Sequence, residues 1–187
     1  MIRQAKKEDG EAIVDLLMVI FRDMQLPFLA KYGEEKTKEI MLVAMDEEDY
    51  RYNYHRGIIE ELNGAIAGVA FGYPAEDEKV IDEAFTQILP AFDIDPKETI
   101  FTDSESLPGE WYLDSISVAP NFRGHGVGTK LLRALPKVAK QDNEKIIGLN
   151  VDVENTQAEK LYKRSGFQVV AQVKIAGHKY KHMQKVL

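Results

Sequence analysis

The segment from 111 to 140 places the tightest constraint on the fold, because it reads as a strand, a glycine-rich loop and a helix in immediate succession. Aromatic and β-branched residues dominate 111–118, and Ala119-Pro120 ends the predicted strand. The loop N-F-R-G-H-G-V-G-T-K, residues 121–130, then places three glycines at alternate positions between an arginine and a lysine. Leucines at helical spacing predict a helix from about 127 to 140. Such a unit is typical of mixed α/β proteins.

Periodicity on both sides of this unit completes the expected chain order. The predicted helices cover 8–24 and 34–46, and the predicted strands cover 51–62, 65–73, 146–153, 167–175 and 180–187. A short helix opens at a capping box that begins with Thr156 and closes at Gly166. We therefore expect a single mixed α/β domain over residues 1–187.

Residues 75–110 differ in composition from the rest of the chain. They hold eleven acidic residues against two lysines, Lys79 and Lys97. Apolar residues at helical spacing, among them Phe85 and Leu89, predict that this segment is ordered. It is interpreted as an acidic insertion before the fourth strand.

Composition and charge exclude several classes of function. The chain has no cysteine, which excludes a disulfide framework, a thiolate metal site and an acyl-cysteine intermediate. A net charge of -7 argues against a general nucleic-acid-binding protein, which needs a basic face. The apolar run 12–21 is interrupted by Asp15 and is too short to span a bilayer. His178 and His182 lack a carboxylate partner at ligand spacing, so no metal site is predicted. We expect a cytoplasmic protein with no membrane or nucleic-acid partner.

The glycine-rich loop can be either a flexible turn or a cradle for phosphate. A strand–loop–helix junction gathers unpaired backbone N–H groups at the positive end of the helix dipole, and glycines let a ligand approach them closely. Two familiar phosphate loops do not fit. Thr129 stands where G-x-G-x-x-G needs its third glycine, and no glycine has the register that G-x-x-x-x-G-K-[ST] requires.

A third pattern does fit, because the loop matches R-x-x-G-x-G from Arg123 to Gly128 after a strand that ends in I-S-V-A-P. The motif N-x-x-A-x-x-L-Y-x-x-x-G-F follows from Asn155 to Phe167. On these two motifs the sequence resembles the GCN5-related N-acetyltransferase (GNAT) superfamily. The resemblance is strong over 111–175, loose over 1–74, and lapses over the insertion.

The resemblance implies both a fold and a co-substrate. It implies a mixed, mostly antiparallel sheet of about seven strands, flanked by helices and splayed between two neighbouring strands, where acetyl-CoA binds. Residues 116–118 would pair with the pantetheine arm, the loop would wrap the pyrophosphate, Asn155 would steady the arm, and Tyr162 would point at the sulfur. The implied cofactor-binding residues are Ile116, Ser117, Val118, Arg123, Gly124, His125, Gly126, Val127, Gly128, Thr129, Asn155 and Tyr162.

The resemblance also implies direct attack of an amine on the thioester in a ternary complex, without a metal. Tyr162 is the candidate general acid for the leaving thiolate, and the alternative is a core aromatic residue. A backbone N–H near Val118 would meet the oxyanion.

The general base is harder to assign. A period of two places Asp114 on the face of Ile116 and Val118, and Glu110 one step further along it, so either carboxylate could accept the amine proton. A purely structural role for Asp114 stays open. Protein N-terminal acetyltransferases of this superfamily often carry a glutamate at the position of Asn150, which cannot act as a base.

The expected acceptor is a primary amine of a small molecule or peptide. The acidic insertion could attract a cationic amine, although a run of charge is more often a solvated face. Two alternatives remain: a non-catalytic acyl-CoA-binding regulatory module, and an acyltransferase that uses another acyl group or acceptor. A homodimer is compatible with the sequence.

Overall fold

Seven strands form one sheet in the computed structural model, which describes residues 1–187 throughout. The strands are β1 (Ile2–Gln4), β2 (Gly57–Leu62), β3 (Ala65–Pro74), β4 (Trp111–Val118), β5 (Ile146–Asp152), β6 (Gln168–Ile175) and β7 (His178–Val186). Their spatial order is β1-β2-β3-β4-β5-β7-β6. Every neighbouring pair is antiparallel except β4 and β5, which are parallel. This mixed, mostly antiparallel sheet confirms the predicted fold class.

Helices cover both faces of the sheet. They are α1 (Gly10–Asp23), α2 (Pro27–Tyr32), α3 (Glu34–Ala44), α4 (Glu83–Ile88), α5 (Val127–Gln141) and α6 (Thr156–Arg164). In one core, the four helices α1, α2, α3 and α4 pack against the sheet face that carries Val69 and Phe71 of β3. The other core joins α5 and α6 with the face that carries Leu149 of β5. None of the helices combines the length and the apolar composition needed to cross a membrane.

The parallel pair β4 and β5 separates partway along its length. Ladder pairs join the two strands only between Trp111–Leu113 and Ile147–Leu149. The ladder between β3 and β4 shifts register at Asp114, which has no partner on β3. A bulge of this kind bends the strand that carries it. Beyond Leu113 a cleft opens between β4 and β5, and this is the splay that the family resemblance implied.

The beginning of β2 differs from the predicted strand over 51–62. The strand starts at Gly57, and a short 3₁₀ turn precedes it at Tyr54–Arg56. The aromatic residues Tyr50 and Tyr52 pack into the core with α1 to α3 rather than into the sheet. Aromatic residues are common in strands, and this composition led to the prediction of a strand. The backbone here instead follows from the burial of the two rings among the helices.

The cap of α6 also differs from the prediction. Oδ1 of Asn155 accepts a 3.0 Å hydrogen bond from the backbone N–H of Ala158, so Asn155, and not Thr156, is the N-cap residue. Gly166 follows the helix at φ +94°, a left-handed conformation that suits glycine.

The segment 75–110 is ordered, as its apolar spacing predicted. Phe85 is buried in the core formed with α1 to α3. Several of its carboxylates bind other groups of the protein. Asp82 pairs with the buried Arg51 at 2.6 Å, and Glu78 accepts hydrogen bonds from the backbone and side chains of residues 104–106. This internal pairing accounts for part of the acidic excess.

Candidate functional site

A cleft of about 280 Å³ lies where β4 and β5 separate. Its walls come from α1, β4, β5 and α6, together with residues at the turn between β6 and β7. The predicted site residues that line it are Asp114, Ile116, Ser117, Val118, Arg123, Asn155 and Tyr162. The loop from Gly124 to Thr129 continues from Arg123 and does not itself line the cleft, and Glu110 lies outside it.

The loop that leads into α5 presents a run of free backbone donors. Gly124 and Gly126 have φ values of +80° and +78°, a region that glycine adopts without a steric penalty. The first backbone hydrogen bond at the start of α5 is donated by Lys130 to the carbonyl of Gly126, at 3.0 Å. The backbone N–H groups from Gly124 to Thr129 have no acceptor within the protein. Consecutive free donors at a helix N-terminus can hold a pyrophosphate.

Alternate backbone groups of β4 face the cleft. The N–H of Ala119 donates to the carbonyl of Ala67 at 2.9 Å. In an antiparallel ladder this register directs the backbone of Ser117 toward β3, and that of Ile116 and Val118 toward the opposite side. Because β5 does not pair there, the N–H groups of Ile116 and Val118 are free to bind an extended ligand. The backbone of Ser117 is occupied by β3, contrary to its implied pairing with the pantetheine arm.

Tyr162 projects from α6 into the cleft. Its ring packs against Phe167, with ring centroids 6.1 Å apart, and α6 is anchored by the Asn155 cap described above. No protein group hydrogen-bonds to the Tyr162 hydroxyl. Burial raises the pKa of Tyr162 to about 12. The phenol therefore keeps its proton near neutral pH and can donate it.

The prediction that Asp114 shares a strand face with Ile116 and Val118 is wrong. The bulge at Asp114 breaks the alternation, and Ile116 and Val118 pack against the core of α5 and α6. Asp114 instead accepts hydrogen bonds from Arg51 at 2.7 Å and from the Tyr73 hydroxyl at 3.3 Å. Its second oxygen accepts one from the adjacent serine at 2.9 Å. Both oxygens are engaged, which favours the structural alternative for Asp114.

Glu110 lies behind the cleft rather than along it. Its Oε1 accepts a hydrogen bond from the backbone N–H of Leu107, and its Oε2 accepts one from Gln184, both at 2.8 Å. The same Oε2 lies 3.0 Å from Nε2 of His182. Glu110 precedes the first residue of β4, so strand alternation does not extend to it. The predicted access of Glu110 to the acceptor is therefore wrong.

A carboxylate that sequence reasoning did not select, Glu105, lines the cleft. Its Oε2 accepts a 2.9 Å hydrogen bond from the Tyr112 hydroxyl, and its Oε1 is buried without a partner. Burial, reinforced by the negative charge of Asp114, raises the pKa of Glu105 to about 7. Asn150 donates to the backbone carbonyl of Glu105 at 2.8 Å. The only hint in the sequence was Asn150, an amide at the position where related acetyltransferases often carry a glutamate. It indicated that any base must come from elsewhere in the chain.

Known proteins are similar to this chain in fold and in sequence. A solved acetyltransferase structure is 47% identical, superposes with a TM-score of 0.90, and the alignment covers 100% of this chain and 98% of that one. An uncharacterized N-acetyltransferase of Bacillus subtilis (strain 168), YhfO, is 27% identical over 169 residues, which are 89% of each protein. The uncharacterized N-acetyltransferase MJ1207 of Methanocaldococcus jannaschii is 43% identical over 56 residues, so the alignment covers 30% of this chain and a quarter (25%) of that relative.

The match to a family covers most of the elements that build the cleft. Residues 17–167 match the acetyltransferase (GNAT) family, a range that holds α5, α6, the glycine-rich loop and the splayed strands. The match extends over more than half of the chain, and it confirms the membership that the two motifs predicted. The chain belongs to the acetyltransferase (GNAT) family.

Proposed function

We propose that the protein transfers an acetyl group from acetyl-CoA to a primary amine of a small molecule or peptide, by direct attack in a ternary complex. The observation that carries this proposal is the run of unpartnered N–H groups from Gly124 to Thr129 beside a cleft that holds Tyr162. An anion-binding loop beside a cleft that contains a proton donor is what catalysis on a thioester of coenzyme A requires.

The co-substrate would lie along the splayed strand. Its pyrophosphate would accept hydrogen bonds from the loop, with Arg123 at the entrance to the cleft adding positive charge. A carbonyl of the pantetheine arm would accept a hydrogen bond from the free N–H of Ile116, so that the arm takes the place of the missing strand neighbour. Asn155 uses its Oδ1 for the helix cap, so its side-chain amide N–H groups are available to the arm.

The chemistry needs one proton removed and one supplied. The neutral amine attacks the thioester carbonyl, a C–N bond forms, and the N–H of Val118 would donate to the oxyanion. When the C–S bond breaks, Tyr162 gives its proton to the departing sulfur. The proton lost by the amine goes to a base. The raised pKa of Tyr162 keeps the phenol protonated until this step.

The test combines binding and turnover. Purified protein is screened by thermal shift against a panel of acyl-CoAs, because a ligand that binds the folded state raises its apparent stability. Thiol release from the best acyl-CoA is then measured over an amine library. We expect a shift with acetyl-CoA, turnover with at least one primary amine, and a fall in kcat of roughly 100-fold in Tyr162→Phe without loss of acetyl-CoA binding.

Each other result has a defined meaning. Unchanged kcat in Tyr162→Phe would remove the acid assignment. Binding of acetyl-CoA without turnover on any amine would indicate the regulatory module, and a larger shift with a different acyl-CoA would indicate another acyl donor. No shift with any acyl-CoA would contradict the proposed function as a whole.

A further inference from the structure

Glu105 occupies the junction of two cavities. The cleft that holds Tyr162 lies on one side. A second cavity of about 200 Å³ lies on the other, between the connection of α1 to α2, residues 100–103, and the turn between β6 and β7. Met24, Ile175 and Glu105 line both cavities, so Glu105 is the only polar residue that they share. A molecule in the second cavity would meet the carboxylate before it reached the thioester side.

The carboxylate of Glu105 is held with one oxygen in use and the other free. Tyr112 donates to Oε2 at 2.9 Å, whereas Oε1 is buried and has no hydrogen-bond partner. Buried carboxylate oxygens are rarely left without a donor, and each such exception calls for an explanation. A donor that arrives with a substrate, such as an ammonium group, would supply the missing partner.

A directed chain of hydrogen bonds fixes the acceptor character of Oε2. Nδ2 of Asn150 donates both to the carbonyl oxygen of Glu105 and to the hydroxyl oxygen of Tyr112, at 2.8 and 3.0 Å. Because the carbonyl can only accept, the orientation of the Asn150 amide is fixed. The Tyr112 hydroxyl accepts a hydrogen bond from Asn150 and donates one to Oε2 of Glu105. The chain therefore ends on a carboxylate that accepts at Oε2 and leaves Oε1 to take a proton.

The backbone that carries Glu105 is also restrained. Oε1 of Glu78 accepts hydrogen bonds from the N–H groups of Glu105 and Ser106, at 2.7 and 3.0 Å. Its Oε2 accepts from the hydroxyls of Ser104 and Ser106, at 2.6 and 2.8 Å. One carboxylate thus clamps three consecutive residues, and this restraint gives the insertion a positional role in the site.

Other carboxylates near the cleft are less suited to take a proton. Asp114 is paired with Arg51, and Glu110 lies outside the cleft with both oxygens occupied. Asp152 uses Oδ1 to accept from the backbone of Glu154 at 2.8 Å, and Asp23 is exposed to solvent.

We propose that Glu105 is the general base, whose Oε1 takes a proton from the ammonium group of the acceptor where the two cavities meet. This inference rests on the proposed function. One N–H bond of the ammonium breaks, its electron pair remains on nitrogen and forms the new C–N bond, and the proton is bound by Oε1. The second proton, which the nitrogen loses after attack, goes to the Tyr162 phenolate that is left when Tyr162 protonates the sulfur. Glu105, which belongs to the insertion, thereby acts as the base that Asn150 cannot be. The elevated pKa of Glu105, about 7, suits a base that works near neutral pH.

The experiment is the pH dependence of kcat/KM in the wild-type protein and in Glu105→Gln, using the best amine found in the screen. The amide oxygen of glutamine can still accept a hydrogen bond from Tyr112, so this substitution can retain the chain of hydrogen bonds. We expect kcat/KM to fall roughly 100-fold or more, the acidic limb near pH 7 to disappear, and the Kd for acetyl-CoA to stay within about twofold. Glu76→Gln, an exposed carboxylate of the same insertion, is the matched control and should match the wild type.

A second variant guards against a trivial loss of folding. Glu105→Asp retains a carboxylate but withdraws it by one methylene, and it should keep the acidic limb at reduced kcat. Glu105→Gln with wild-type kcat and an unchanged acidic limb would overturn the assignment while leaving the proposed function intact. A wild-type protein that binds no acyl-CoA and releases no thiol would overturn both.

Discussion

Nε2 of His182 lies 3.0 Å from Oε2 of Glu110, and both side chains are entirely buried. Nδ1 of His182 faces Oδ1 of Asn150 at 2.7 Å, and the orientation of that amide is fixed by its bond to the carbonyl of Glu105. Nδ1 therefore carries a hydrogen. The pair of His182 and Glu110 anchors the far end of the hydrogen-bond chain that leads to Glu105.

Gly148 tests this buried pair, because it lies directly against Glu110. A Cβ atom added at Gly148 would lie 2.0 Å from Oε2 of Glu110. The carboxylate is surrounded by fixed partners and cannot move away cheaply, so we expect Gly148→Ala to lower the free energy of unfolding by about 3 kcal/mol. At this chain length that loss corresponds to a fall in Tm of roughly 6–12 °C, measurable by thermal denaturation.

A double-mutant cycle supplies the control. Glu110→Ala alone should destabilise the protein by leaving His182 buried without its partner. Combined with Gly148→Ala, it removes the atoms that the new methyl group would strike, so the double variant should be more stable than the sum of the two single effects. Strict additivity would show that Gly148 acts through something other than Glu110.

Local sequence patterns predict the backbone of the glycine-rich loop and the helix that follows Asn155. The glycine-rich loop and the motif from Asn155 to Phe167 are each set by residues close in sequence, and their geometry follows from backbone rules such as the φ preference of glycine. Neither the bulge at Asp114 nor the position of Glu105 has such a local signal. The first depends on pairing with β3, and the second on how Glu78 and Asn150 hold a long insertion. Those contacts cross more than twenty residues of chain, so no periodicity could reveal them.

Asp114 is expected to act on stability rather than on chemistry. Its ion pair with Arg51 at 2.7 Å is buried on both sides, and removal of one partner from such a pair is strongly destabilising. Asp114→Asn keeps an acceptor for Arg51 but removes the charge, so we expect a loss of about 2 kcal/mol in the free energy of unfolding. The acidic limb of the pH–rate profile should persist and move to lower pH, because the charge of Asp114 contributes to the raised pKa of Glu105.

The matched control for this change is a more exposed ion pair, formed by a carboxylate of the acidic insertion. Asp77 pairs with Arg56 at 2.8 Å and is about a third exposed (35%), so Asp77→Asn should cost less than about 1 kcal/mol. Chemical denaturation of both variants measures the difference. A stable Asp114→Asn protein that had lost its acidic limb would return the role of base to Asp114.

The three loop glycines are expected to differ in what they contribute. Gly124 and Gly126 need positive φ, so alanine at either position should cost about 1 kcal/mol in backbone strain. A Cβ at Gly128 would lie at an ordinary 3.5 Å from Leu161, and alanine favours the helix that begins there. Gly128→Ala should therefore keep or raise stability, yet hinder a pyrophosphate that lies against the backbone.

Calorimetric titration with acetyl-CoA separates these effects. We expect Gly128→Ala to weaken binding about tenfold, which corresponds to about 1.4 kcal/mol, with no loss of Tm. Gly64→Ala is the control for strain alone, since Gly64 has φ +76° in the hairpin between β2 and β3, and it should lower Tm without changing the Kd. Equal acetyl-CoA affinity in Gly128→Ala and wild type would argue against close approach of the ligand to this loop.

Glu105 should make stability depend on pH in a direction opposite to that of an ordinary paired carboxylate. Burial raises its pKa from 4.5 to about 7, so between these values the folded protein binds this proton more tightly than the unfolded chain does. The contribution of Glu105 to the free energy of unfolding therefore falls as the pH rises through that window. Above pH 7 the full cost of an ionised Glu105 is present, up to about 3 kcal/mol.

Glu105→Gln removes this cost because glutamine does not ionise. The variant and the wild type should have similar free energies of unfolding near pH 5, and the variant should be the more stable protein above pH 7.5, by up to about 3 kcal/mol. Urea denaturation at a series of pH values measures the difference, with Glu76→Gln as the exposed control that should show no such trend. A difference that stays constant from pH 5 to pH 8 would mean that Glu105 titrates no higher in the folded state than in the unfolded chain. Lost activity together with gained stability at high pH would show that the fold keeps a costly buried carboxylate because the reaction needs it.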